Sequence, residues 1–260
     1  ILGNTIAEIA SEKAGIIKEN TNCFIGLLPP EAEDVINKKC DEYQAELISL
    51  KKYIDFNNNF CNISYNNFIF HIYNPVLKGN HQYYNLSLAI LVLQKTFYLS
   101  DWQIYNKGIN NVIKNSGIQC RYEILNDKPK IIFDAAHNSE GIESFVNQFT
   151  KEKNDYNNVY FIFGAMKDKN IEEMLSKLKP FSTKFYFTQI NYERAATPDK
   201  LSQIADRLNI NNEIIIDPEN FINNFRQNNN NSKNCLVVLG SIYLLGQVKN
   251  RMIEKKYLTM

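Results

Sequence analysis

An acid and an imidazole three residues apart, Asp134 and His137, follow a short apolar run in the stretch K-I-I-F-D-A-A-H-N-S-E-G, Lys130 to Gly141. The run Ile131-Ile132-Phe133, bounded by polar residues, reads as a buried strand. Asn138 or Ser139 is suited to cap a helix, and the residues from Ser139 to Phe145 continue at helical spacing. The stretch is therefore a strand, a tight turn and a helix, with a carboxylate and an imidazole at the strand's carboxyl end. In open α/β sheets ligands bind at that edge. Ala135 and Ala136 are small enough to let a ligand come close to the backbone. The same residues also suit a turn that does no more than cap the helix, and the stretch alone does not choose between the two.

Other polar residues raise the same question. Lys13 falls in the last turn of an expected helix, where a cation complements the helix dipole. Asn85 falls in the first turn of an apolar helix expected over Leu86 to Phe97, as a helix-turn residue or as an amide that reads a ligand's polar edge. Gly240-Ser241 follows a strand and opens a helix, which fits either a tight βα turn or an anion held at a helix N-terminus. Gly164-Ala165-Met166-Lys167-Asp168-Lys169 is a loop at another strand's carboxyl end, its lysines facing solvent or phosphate. No glycine is followed two residues later by another, and no Gly-x-x-x-x-Gly-Lys-Ser/Thr occurs, so the common phosphate-cradling patterns are absent from these residues. There is no zinc-spaced Cys/His pair and no Gly-x-Ser-x-Gly elbow.

Composition narrows the class. The 260 residues are 44% hydrophobic and 22% charged, as in a globular chain, with a net charge of +1 that gives no general attraction to nucleic acid or an anionic membrane. Five scattered cysteines (Cys23, Cys40, Cys61, Cys120, Cys235) suggest a reducing compartment such as the cytoplasm, and no apolar run is long enough to span a bilayer. The run Asn228 to Asn231 reads as compositional bias. The chain starts at Ile1 rather than Met and enters a helix almost at once, which suggests that it begins in the middle of something.

The elements that must position these residues follow from periodicity. Asn4 or Thr5 caps a helix with Ile6, Ile9 and Ala10 on one face, ended by Gly15. A strand over Cys23 to Leu28, a helix over Glu31 to Ala45, and a strand over Leu47 to Leu50 come next, then a hairpin around Asn66-Asn67. The helix of Leu86 to Phe97 is apolar enough to be buried on most sides, and Asp101 to Ile113 forms another. Gly117 to Arg121 marks a boundary. Beyond it, strands at Tyr122 to Leu125, Lys130 to Phe133, Val159 to Phe163, Lys184 to Thr188, Glu213 to Ile216 and Cys235 to Leu239 alternate with helices, apart from a turn at Asn126-Asp127 between the first two. That alternation gives a doubly wound, mostly parallel sheet in a domain of about 140 residues.

Seven short motifs, in order, carry a resemblance. Ala7 to Lys18, I-A-S-E-K-A-G-I-I-K from Ile9 onward, resembles the signature of folylpolyglutamate synthase and dihydrofolate synthase, of the Mur ligase superfamily. Gly79-x-His81-Gln82-x-x-Asn85, Cys120-Arg121-Tyr122-Glu123, Phe133-Asp134-Ala135-Ala136-His137-Asn138 and the Gly164 to Lys169 loop are similar to further motifs of that family, as are Arg194-Ala195-Ala196 and Val238 to Tyr243. The resemblance implies an α/β fold in two parts: residues 1–116 as the C-terminal part of a Mur-type central ATPase domain, and 117–260 as a Rossmann-like C-terminal domain. It implies a cytoplasmic ATP- and Mg2+-dependent ligase, monomeric, that joins L-glutamate to a folate or dihydropteroate carboxylate through an acyl phosphate. Another Mur-type carboxylate–amine ligase and a non-catalytic remnant are the alternatives.

By the same resemblance, Lys13 matches a lysine that becomes carbamylated and offers Mg2+ an oxygen ligand. Asn85 matches a nucleotide contact, Arg121 an arginine that reaches the ATP phosphates, and Asp134 an ATP contact with His137 beside it. Ser241 stays open between anion contact and turn residue. The family's Pro-Gly before the arginine is Gln119-Cys120 here, and its Gly and Pro in the acid–histidine motif are Ala135 and Ser139. Glycine takes backbone angles that cysteine takes poorly, so the turn before Arg121 is expected to be looser. A complete member carries a glycine-rich phosphate loop and acid and histidine Mg2+ ligands ahead of Ile1, and these 260 residues are not expected to turn over ATP alone.

Overall fold

The structure, a computed structural model, describes residues 3, 5–57, 60–229 and 233–258. It divides into two units, Ile1–Val76 with Asn80–Asn115, and Leu77–Gly79 with Ser116–Met260. Asn4 and the asparagines at 230 and 231 lie outside the described residues.

In the first unit, α1 (Ile6–Ala14) begins with a capping box. Thr5 accepts from the Glu8 amide while the Glu8 carboxylate accepts from the Thr5 amide, so two otherwise orphaned donors are satisfied. Ala10 and Ala14 face inward, whereas Ile6 is exposed rather than part of the buried face. β1 (Asn22–Ile25), α2 (Pro30–Glu42) and β2 (Glu46–Ser49) make a parallel βαβ unit around Ala14, Ile25, Ile36 and Cys40. An antiparallel sheet follows, β3 (Ile54–Asn57), β4 (Phe60–Tyr65) and β5 (Phe68–Tyr73), with the hairpin turn at Asn66-Asn67. β3 is not apparent from the sequence, because its I-D-F-N alternation is only four residues long.

α3 (Asn80–Phe97) starts six residues earlier than periodicity suggests, so Asn85 lies beyond its first turn. Gly79, at φ +108°, turns the chain into the helix, and Gln82 and Tyr83 are already buried. The helix buries one face, Ser87, Ile90, Leu91 and Gln94, while Leu93 and Phe97 are exposed. The single helix expected over Asp101 to Ile113 is two, α4 (Trp102–Asn110) and α5 (Val112–Ser116), because Asn111 leaves helical geometry at the end of α4.

The second unit is a six-stranded sheet in the order β10-β9-β8-β11-β7-β6. Its elements are β6 (Glu123–Asp127), β7 (Lys130–Phe133), α6 (Ser139–Phe149), β8 (Asn158–Phe163), α7 (Ile171–Leu178), β9 (Lys184–Phe187), α8 (Pro198–Arg207), β10 (Asn212–Ile214), α9 (Pro218–Asn228), β11 (Asn234–Leu239) and α10 (Ile242–Leu258). Five strands are parallel, and β6 is an antiparallel edge. The turn before β7 falls at Lys128-Pro129 rather than Asn126-Asp127, because Asn126 and Asp127 stay in the ladder beyond a bulge. One face of the sheet packs under α6, α7 and α8 through Ile142, Phe145, Met174 and Leu201, and the other under α9 and α10 through Ile222, Phe225, Leu244 and Val248. Phe161, Phe163, Phe185 and Phe187 are fully buried, each contributing about 2–3 kcal/mol of burial. Parallel strands covered on both faces need continuous apolar runs, which explains why β7, β8 and β11 lack an alternating pattern.

Candidate functional site

β7, β8 and β11 are neighbours, and the chain leaves their carboxyl ends toward opposite faces, into α6 and α7 on one side and α10 on the other. Such a divergence opens a crevice at the strand ends. A cleft of about 190 Å³ lies there, lined by His137, Met166, Lys169, Arg194 and the start of α10 at Ser241 and Ile242. Its remaining wall is a stacked pair, Tyr192 and Tyr243, with ring centroids 4.4 Å apart.

Gly240 sets how closely the loops converge. Its φ is +105°, and a Cβ there would lie 2.5 Å from the Gly164 carbonyl oxygen and 2.9 Å from the Phe163 ring. Its N–H donates to the Ala136 carbonyl at 2.9 Å, tying the loop after β11 to the loop after β7. Ser241 is buried, and its hydroxyl accepts from the Tyr243 amide at 3.2 Å, so it caps α10 at the cleft wall. Asn138 caps α6 through the Gly141 amide at 2.9 Å, and the His137 ring contacts the Ala135 carbonyl through Nδ1 at 2.9 Å.

Two cations share one carboxylate at the cleft. Lys169 pairs with Asp168 at 3.0 Å and Arg194 with the other Asp168 oxygen at 3.2 Å, which leaves a local positive excess. The Lys169 hydrogen bond, with Arg194 beside it, holds the Asp168 carboxyl below the usual range. Lys169 and Arg194 were not singled out from the sequence as site residues. Their signal was the loop after β8 and the Arg-Ala-Ala triplet, and neither distinguishes a solvated cation from one that faces a ligand.

Asp134 and Arg121 form a neighbouring arrangement. Arg121 is not on a strand but in the bend before β6, and its side chain is exposed. Asp134 accepts from the Tyr122 amide at 2.8 Å with one oxygen and from the Ala136 amide at 2.9 Å with the other. Burial pushes this carboxyl up, against the two amides and the Arg121 charge, which pull it down. Asp134 thus braces the Arg121 bend against the turn that carries His137. The cleft lining brings His137 and Ser241 together, and neither Arg121 nor Asp134 is part of it.

Lys13 and Asn85 belong to the first unit. Lys13 is exposed in the last turn of α1. Asn85 is exposed on α3 and donates to Gln82 Oε1 at 3.3 Å, and Gln82 contacts His81 at 2.9 Å. Among the described residues no group of three or more His, Cys, Asp or Glu is placed to hold a metal.

The sequence profile of the Mur ligase, glutamate ligase domain matches residues 120–242, which hold every residue of the cleft except Tyr243. Beyond these residues the likeness to known proteins extends over nearly the whole chain. The Bacillus subtilis dihydrofolate synthase/folylpolyglutamate synthase is 27% identical over 259 residues, covering 97% of this chain and 59% of that protein. The solved folylpolyglutamate synthase of Thermotoga maritima superposes with a TM-score of 0.73 at 26% identity, covering 97% of this chain and 59% of that one. E. coli FolC in complex with DHPP and ADP gives a TM-score of 0.81 at 20% identity over 98% of this chain and 58% of its own, a likeness of fold. The chain therefore spans about three-fifths of the length of these relatives. No helix among the described residues is long and apolar enough to cross a membrane.

Proposed function

We propose that these residues are part of an ATP-dependent ligase that joins L-glutamate to a folate or dihydropteroate carboxylate through an acyl phosphate. The observation that carries this reading is the cleft, where four side chains from four loops, His137, Lys169, Arg194 and Ser241, meet at the carboxyl ends of parallel strands within the stretch similar to a glutamate ligase domain. Residues 1–116 are read as part of the central ATPase domain and 117–260 as the C-terminal domain of a cytoplasmic monomer.

The roles follow from charge. L-Glutamate is a dicarboxylate, and the excess of cation over anion at Lys169, Arg194 and Asp168 suits one of its carboxylates. The start of α10 adds the positive end of a helix dipole beside it. The His137 imidazole, at the cleft wall, is suited to take a proton from the amine as it attacks. Arg121, exposed and with its bend braced by Asp134, is suited to the phosphates of ATP, whose transfer requires cations around the moving group. Asn85 is read as a contact to the nucleotide. Lys13, exposed, is open to the carbamylation that would give Mg2+ one oxygen ligand. Bound there, Mg2+ would neutralise phosphate charge.

The test is genetic. The gene for the complete polypeptide should restore growth of a folate auxotroph lacking this ligase, and its Arg121→Ala form should not. Failure of the unaltered gene would overturn the reading. The purified 260 residues, supplied with ATP, Mg2+, L-glutamate and either acceptor, are expected to release no ADP above background.

A further inference from the structure

The bend that carries Arg121 is held more firmly than an exposed loop requires. Cys120 and Tyr122, on either side of it, sit at φ +57° and +50°. The left-handed region is costly for a non-glycine residue, and such geometry persists where the surroundings over-determine it. The Cys120 amide donates to Glu123 Oε2 at 2.7 Å, the Cys120 carbonyl accepts from the Ala135 amide at 2.8 Å, and the Tyr122 amide donates to Asp134 at 2.8 Å.

One further tie comes from far along the chain. Lys249, on α10, donates to both Glu123 oxygens at 2.6 Å and to Gln119 Oε1 at 2.9 Å. Its side chain is only 15% exposed, and its ammonium lies 6.0 Å over the Phe133 ring. A single carboxylate thus gathers the amide just before Arg121 and an ammonium from the helix whose first turn walls the cleft. Arg194, Arg207 and Arg251 direct their guanidinium groups to carboxylates, whereas Arg121, like Arg226, is in no ion pair among the described residues.

We propose that Glu123 and Lys249 are positioning residues for Arg121. The pair fixes the left-handed bend, and with it the direction in which the Arg121 fork meets an anionic ligand. Lys249 acts through Glu123 and the backbone rather than on the ligand itself. The proposal rests on the reading of Arg121 as a partner of the ATP phosphates.

The experiment uses the complete ligase with Lys249→Met, Glu123→Gln and Lys249→Arg. Lys249→Met and Glu123→Gln should each raise KM for ATP about three- to tenfold, with kcat and the KM for L-glutamate within about twofold of wild type. Combining them should add little to either, and Lys249→Arg should restore most of the affinity. In the 260-residue chain, Lys249→Met should speed hydrogen exchange at the Cys120 and Tyr122 amides while the amides of β8 stay protected, a readout that holds even if catalysis is lost. An unchanged KM for ATP in Lys249→Met, or an equal rise in KM for all substrates, overturns the proposal. Arg121→Ala separates the two levels. If it leaves KM for ATP unaltered, the reading of Arg121 fails; if it raises KM while Lys249→Met is silent, only the positioning role fails.

Discussion

Replacing Asp134 with alanine is expected to lower the stability of the chain by about 3 kcal/mol, read as a fall in the urea midpoint with unchanged slope. The substitution strands two amides, Tyr122 and Ala136, that the carboxylate satisfies at 2.8 and 2.9 Å. Each stranded buried donor costs about 1–3 kcal/mol, and relief of a desolvated charge offsets part of the sum. The pH dependence has a defined sign. The folded carboxyl titrates above its ordinary value of 3.8, because burial outweighs the amides and Arg121. The folded state therefore holds the proton more tightly, and the stability this contributes is complete below the unfolded pKa and lost as pH rises through the folded one. The gap between wild type and Asp134→Ala should be widest in acid and narrow toward neutral pH. A gap that widened with rising pH would contradict the burial argument.

The second large effect is expected at Gly240. Alanine there would place a Cβ 2.5 Å from the Gly164 carbonyl oxygen, at a φ of +105° that side chains rarely adopt. The obstruction is backbone on one side and the buried Phe163 ring on the other, so neither can yield at low cost. A loss of about 3 kcal/mol or more is expected in urea unfolding. The damage should also reach the cleft, because the Gly240 amide holds the Ala136 carbonyl beside His137. A Gly240→Ala chain with a wild-type midpoint would show that the loops after β8 and β11 are not packed as described.

The second unit was legible in the sequence because its strands are buried on both faces and its helices are capped by residues whose type declares the cap. Asn138, Asn170 and Asp217 each accept an amide at the start of a helix, and Thr197 and Pro198 open α8. The first unit was read less well. β3 is too short to show a period, and Asn111 interrupts a pattern that otherwise looks continuous. The site was legible as types of residue and not as an arrangement. Asp134 and His137 announced themselves, but nothing in the sequence says that Asp134 braces the bend of Arg121. The left-handed bend is hidden for the same reason, since cysteine and tyrosine do not signal positive φ as glycine does. The expectation that Cys120 loosens this turn is answered by its ties to Glu123 and Ala135. Lys169 and Arg194 gained meaning only when folding placed them over one carboxylate beside His137.

The most direct measurement is ADP release by the complete polypeptide of the proposed ligase, with ATP, Mg2+, a folate or dihydropteroate acceptor and L-glutamate supplied together and each withheld in turn. Sustained release that requires both the acceptor and L-glutamate, and that falls at least about a hundredfold in Arg121→Ala, is the result predicted for acyl-phosphate ligation with cationic stabilisation of the transferring phosphoryl group. Release that continues without L-glutamate, or that is indifferent to Arg121, would contradict it.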